Sequence, residues 1–125
     1  MKSTFLVFAV SLLPLTATAA IKNPLPIKKG IYVTESASCE SPAAADTYGY
    51  YGHAFGAGHS PCIFKIVKAG LPGVYNSVLT CTDLPSGKSA NYKTTFVVLS
   101  DSRLVIANDV GSPTVVRWCA ESVNN

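Results

Sequence analysis

The chain has 125 residues, a formal net charge of +3, 48% apolar residues and 14% charged ones. That length suits one domain, and a chain so rich in apolar residues and poor in charge is not disordered. The small positive charge forms no clustered stripe, which excludes the electrostatic footprint of a nucleic-acid binder.

In chain order, residues 1–19 read as a secretion signal. Lys2 supplies a positive start, an apolar stretch runs from Phe5 to Leu15, and Ala17-Thr18-Ala19 offers a small-x-small cleavage site. The stretch is shorter than the roughly 20 residues that span a bilayer. Cleavage after Ala19 leaves 106 residues with nine basic and seven acidic side chains, a net charge of +2, and no stretch long enough to be a membrane span. Residues 20–29 carry Pro24, Pro26 and the pair Lys28-Lys29, and read as an extended, solvated arm outside the core. A single β domain is expected over 30–121, with 122–125 as a frayed tail.

The first strand is expected at Gly30–Glu35, rich in β-branched and aromatic residues. Ser41-Pro42-Ala43-Ala44-Ala45-Asp46 is the one helical signal, with serine at the N-cap and proline at the first helical position. The stretch from Thr47 to His59 follows, expected to begin as a strand and relax into a loop. Further strands are expected at Pro61–Lys68, Val74–Thr82, Asn91–Leu99, Arg103–Ala107 and Thr114–Ala120, separated by Gly, Pro, Asn and Asp turn signals. About seven short strands at near-regular spacing predict an all-β antiparallel barrel or sandwich with one short helical turn. Along the last strand, Trp118 shares a face with Val116, whereas Cys119 shares the other with Arg117. A core tryptophan therefore requires an outward-leaning disulfide or a bulge.

Cys39, Cys62, Cys81 and Cys119 are an even set behind a secretion signal, which reads as two disulfides in an oxidising compartment, periplasmic or extracellular. Their wide spacing is unlike the close pairs of a zinc site, and paired cysteines offer no catalytic thiolate. Three connectivities are open. The preferred one pairs Cys39 with Cys62 and Cys81 with Cys119, tying an early loop to a nearby strand and a middle strand to the last.

The segment from Tyr48 to His59 packs four glycines, four aromatics and both histidines into twelve residues. Aromatic rings offer contact area and glycines allow close approach, so Tyr48, Tyr50, Tyr51, His53, Phe55 and His59 are the candidate binding surface. His53 and His59, with Asp46, Glu40 or Glu35, could alternatively form a metal or acid–base set, although the His-x5-His spacing fits neither helical nor strand ligand geometry. Gly56-x-Gly58 lacks the third glycine and the following helix of a dinucleotide loop. There is no Gly-x-Ser-x-Gly elbow and no assembled catalytic set. Tyr32, Tyr75, Tyr92 and Trp118 are expected as core or rim residues.

The ordered series Gly30-Ile31-Tyr32, Cys39, Pro42-Ala43-Ala44, Tyr51-Gly52, Cys62, Cys81 and Trp118-Cys119 resembles a loose group of small secreted bacterial proteins of unknown function. It covers residues 30–119. The resemblance implies export and two disulfides, and no catalytic residue. The expected function is an exported, disulfide-braced binding or inhibitor module of the cell envelope, without a cofactor, whose partner is an envelope or extracellular protein. The alternatives are a small hydrolase or metal-dependent enzyme using His53 and His59, and a secreted structural, adhesion or effector protein.

Overall fold

The computed structural model describes residues 21–57, 61–108 and 111–121. The expected signal at 1–19, His59 and the tail at 122–125 lie outside the described residues. Eight antiparallel strands follow one another around a closed barrel: β1 (Gly30–Thr34), β2 (Thr47–Tyr50), β3 (Ala54–Ala57), β4 (Cys62–Ala69), β5 (Val74–Thr82), β6 (Ser89–Ser100), β7 (Arg103–Asn108) and β8 (Thr114–Ala120). Each pairs with its sequence neighbour, and β8 returns to β1. The expected all-β antiparallel architecture is therefore realised as a barrel with one strand more than seven. The extra strand comes from the glycine-aromatic segment. Gly52, at φ +86°, turns the chain back after Tyr50, so β2 and β3 form a tight hairpin.

The pleat sorts each strand into an inner and an outer face. Tyr32, Tyr50, Phe55, Phe64, Leu79, Phe96, Leu104, Ile106 and Val116 fill the interior. Four aromatic contacts run through it as a column: Tyr48 stacks on Phe55 at 6.0 Å, Phe55 meets Phe96 edge-on at 4.9 Å, Phe96 meets Phe64 at 5.9 Å, and Phe64 meets Tyr50 at 6.4 Å. The outer face is mixed, with Lys65, Asn76, Lys93 and Arg103 exposed beside Ile63, Ile66 and Leu99.

The arm before β1 corrects one expectation. It is extended, yet Leu25 and Ile27 are buried members of the core. They close one end of the barrel. The Tyr50 hydroxyl accepts from the Leu25 N–H and donates to the Leu25 carbonyl, both at 3.2 Å. The Tyr32 hydroxyl donates to the Lys28 carbonyl at 2.6 Å, and the Trp118 indole N–H to the Lys29 carbonyl at 3.1 Å. Side chains from the barrel thus satisfy arm carbonyls that a neighbouring strand would otherwise bond.

The helical signal is realised more weakly than expected. A 3-10 turn covers Ala44–Asp46, begins at Ala43 and has no side-chain cap, so Ser41 is not an N-cap. The loop holding it folds back over the seam between β1 and β8. Val33 faces outward there and is nonetheless fully buried. Arg117, its register partner, donates to the Ala37 carbonyl at 2.6 Å. Arg103 stands opposite Arg117 across β7 and β8 and pairs with Glu35. Two like charges facing each other across a ladder repel, and the loop answers both.

The disulfides join Cys39 to Cys119 and Cys62 to Cys81, and no cysteine is free. The expected pairing of Cys39 with Cys62 and Cys81 with Cys119 is overturned. Barrel closure brings the last strand beside the first, which puts Cys119 under the loop carrying Cys39. Cys62 and Cys81 instead face each other across the β4–β5 hairpin. Trp118 points inward and the Cys39–Cys119 bridge lies on the outside beside Arg117, the outward-leaning arrangement that the last strand's alternation requires. Two such bridges belong to an oxidising, non-cytoplasmic environment.

At the seam itself Gly30 adopts φ +132°, and a Cβ there would run into the Ala120 carbonyl. Only glycine fits both demands.

Candidate functional site

The two ends of the barrel are built from different side chains. Towards the arm, the inward positions carry Tyr32, Tyr50, Phe64, Leu104, Val116 and Trp118. Towards the other end the inward positions include Ala57, Cys62, Cys81, Thr94 and Asn108. An eight-stranded barrel is just wide enough for side chains to fill it or for one small ligand to enter. Large residues fill the first half. Smaller ones leave the second half as an open mouth with a cavity of about 700 Å³.

Tyr48, Phe55, Leu79 and Ile106 form the apolar wall of this cavity, together with the Cys62–Cys81 bridge, and Asn91, Tyr92, Lys93, Thr94 and Asn108 supply its polar groups. The bridge fastens β4 to β5 at the rim. Thr94 is buried and its hydroxyl donates to the Asn108 side-chain oxygen at 3.0 Å. Thr80 does the same to Asn91 at 2.8 Å. In both pairs the amide oxygen is engaged, which leaves the amide N–H groups as available donors. Tyr92 follows the inward alternation of β6 but stands 54% exposed at the rim. Deeper in, Ser77 donates to the Thr94 carbonyl at 2.7 Å.

The six candidate residues from the glycine-aromatic segment divide between the two ends. Tyr48 and Phe55 line the mouth. Tyr50 is buried and holds the arm. Tyr51 is exposed at the closed end, its ring lying over the bare Cα of Gly49. His53 is exposed in the β2–β3 turn, where its carbonyl accepts from the Phe64 N–H. His59 lies outside the described residues. The segment is thus a hairpin that contributes to three places, and not one aromatic surface. Asp46 precedes β2 and His53 follows it, so the two stand at opposite ends of that strand. Among the described residues no three His, Cys, Asp or Glu side chains group as metal ligands, and no helix is long and apolar enough to cross a membrane.

The mouth residues from β5, β6 and β7 were not candidates from the sequence, where Tyr92 reads as a core or rim residue. A signal did exist. The inward positions of β7 run Leu104, Ile106, Asn108, and those of β6 run Val98, Phe96, Thr94, so both strands pass from apolar to polar in the direction of the same end.

Two hydroxyls at the closed end are electrostatically unusual. Burial pushes the Tyr32 hydroxyl well above the ordinary tyrosine range, with the Asp101 charge and Tyr50 adding to it. Burial raises Tyr50 as well, against the opposing effect of its bond to Leu25. Both stay protonated donors at any physiological pH and serve the plug rather than proton transfer.

Set against family models, curated proteins and solved structures, the chain matches none.

Proposed function

We propose that this chain is an exported binding module of the cell envelope that engages its ligand or partner in the open mouth of the barrel. The observation that carries this reading is the asymmetry of the barrel: one end is sealed by Leu25 and Ile27, and the other keeps a cavity of about 700 Å³ with an apolar wall and a polar rim. That volume lies within the roughly 300–1,000 Å³ of small-molecule sites, which likewise combine apolar walls with a few placed polar groups. Residues 1–19 act as the export signal in this reading, consistent with the two disulfides. An inhibitor would use the same mouth to receive a protruding side chain of its target.

The enzymatic alternative draws less support, because His53 sits at the far end from the cavity and apart from Asp46. Native mass spectrometry of the chain exported by a bacterial host tests the proposal. The mature mass should begin at Ala20, and a co-purifying mass should be present in the wild type and absent from Leu79→Trp, whose ring would fill the mouth. An adduct retained by that variant would place binding elsewhere.

A further inference from the structure

Of the described residues that line the cavity, Lys93 alone is charged. The wall is Tyr48, Phe55, Leu79, Ile106 and a disulfide, and the other polar groups are amides and hydroxyls. Lys93 and Asn91 border the site from the opposite face of β6, on either side of Tyr92 in a strand whose side chains alternate. An ionised ligand entering here would lose its hydration against apolar surface with no counter-charge among the inward-facing groups, which is strongly unfavourable. The wall also has a shape. Tyr48 and Phe55 stack nearly parallel, 21° apart, and both rings line the side of the mouth. The Tyr92 ring stands exposed at the entrance on β6, paired in register with Leu79. Offset stacking on such a surface favours a planar π system over an aliphatic chain. The polar groups have a direction as well: the Asn108 side-chain oxygen is engaged by Thr94, so what Asn108 offers inward is N–H.

Resting on the binding reading above, we infer that the mouth takes an uncharged, planar aromatic molecule carrying a hydrogen-bond acceptor such as a carbonyl, with its rings along Tyr48 and Phe55 and its acceptor toward Asn108.

The test uses the purified, oxidised chain and three naphthalene probes: prodan (neutral, with a ketone acceptor), dimethylaminonaphthalene (neutral, without it) and anilinonaphthalene sulfonate (anionic). Fluorescence titration should give prodan the lowest Kd, at least about ten-fold below the sulfonate and several-fold below dimethylaminonaphthalene. Tyr92→Ala, which removes an exposed ring, should weaken prodan several-fold. Asn108→Asp, which keeps an oxygen for Thr94 and turns the free donor into a carboxylate, should do the same, whereas Tyr51→Ala at the closed end should leave binding unchanged. Both mouth variants keep the core, and an unchanged Tm verifies that. If the sulfonate binds as tightly as prodan and loses affinity in Tyr92→Ala, the mouth remains the binding site but the ligand class is overturned. If dimethylaminonaphthalene equals prodan, the acceptor is overturned. If no probe responds to either mouth variant, the ligand class and the binding reading fall together.

Discussion

The closed and open ends of this barrel are made by the same eight strands, and the difference between them is side-chain volume and bonding. At the closed end large aromatics meet, and a proline-bearing arm is held by the hydroxyls of Tyr32 and Tyr50 and the indole of Trp118. At the open end the inward residues shrink to Ala57, Thr94 and Asn108, and a disulfide replaces the packing that would otherwise hold β4 against β5. Stability is concentrated at one end and access at the other. A binding barrel can afford an unfilled mouth when the opposite half is overdetermined.

Substitutions at the two ends should separate these roles. Phe96→Ala, at the centre of the aromatic column and fully buried, should cost about 5 kcal/mol, the upper range for a buried Phe, read by urea denaturation. Converting Cys39 and Cys119 to alanine opens a loop of 80 residues and should cost about 4.5 kcal/mol in the chain-entropy account. Loss of the Cys62–Cys81 bridge, with a separation of 19, should cost about 3 kcal/mol and loosen the mouth. A larger loss for the shorter bridge would reverse the assignment of stability to the closed side.

Tyr50→Phe removes both bonds to Leu25 while keeping the ring, and should cost about 1–3 kcal/mol because it leaves buried backbone groups unpaired. The same residue gives a pH signature. The folded state holds Tyr32 and Tyr50 protonated above their unfolded range. Their contribution is therefore fully present below about pH 10, the unfolded tyrosine value, and is lost as pH rises beyond it toward the folded values. Tyr50→Phe should flatten that alkaline fall, as seen in thermal melts above pH 10 compared with pH 7. An unchanged alkaline slope would break the link between the hydroxyl and the plug. At the small end of the scale, Tyr92→Ala should change stability by less than about 0.5 kcal/mol, as exposed positions do, and affect the mouth alone.

Much of the architecture is legible in the sequence because alternation and turn residues are local signals. The strands from Val74 to Ala120 fall where period-two patterning puts them. What is not legible depends on closure. The partner of Cys39 is decided by β8 returning to β1, a contact between residues 80 apart, which no local pattern encodes. The Cys62–Cys81 pair was within reach, since a hairpin folded about the Ala69–Gly73 turn sets Ile63 opposite Thr80 and Phe64 opposite Leu79. The arm misled because its prolines and lysines outweigh Leu25 and Ile27 in composition, although those two residues carry its packing. The glycine-aromatic segment drew attention by density, yet its members serve the hairpin, the plug and the wall separately. The cavity is a gradient of residue size across four strands, and it becomes visible only when their ends are aligned.

The loop bridged to β8 has one more consequence, for the order of assembly. Seven of the eight strand pairings join neighbours in the chain and can form as local hairpins. The eighth, between β1 and β8, must wait until the whole chain has been gathered, which is the slow, entropically costly step of such a topology. Cys39 and Cys119 come within bonding range only once that step is complete, so their oxidation reports a finished circle. Thereafter the bridge works as a one-way latch: strands can still breathe at the mouth, but the ring does not reopen at its seam until a reductant arrives.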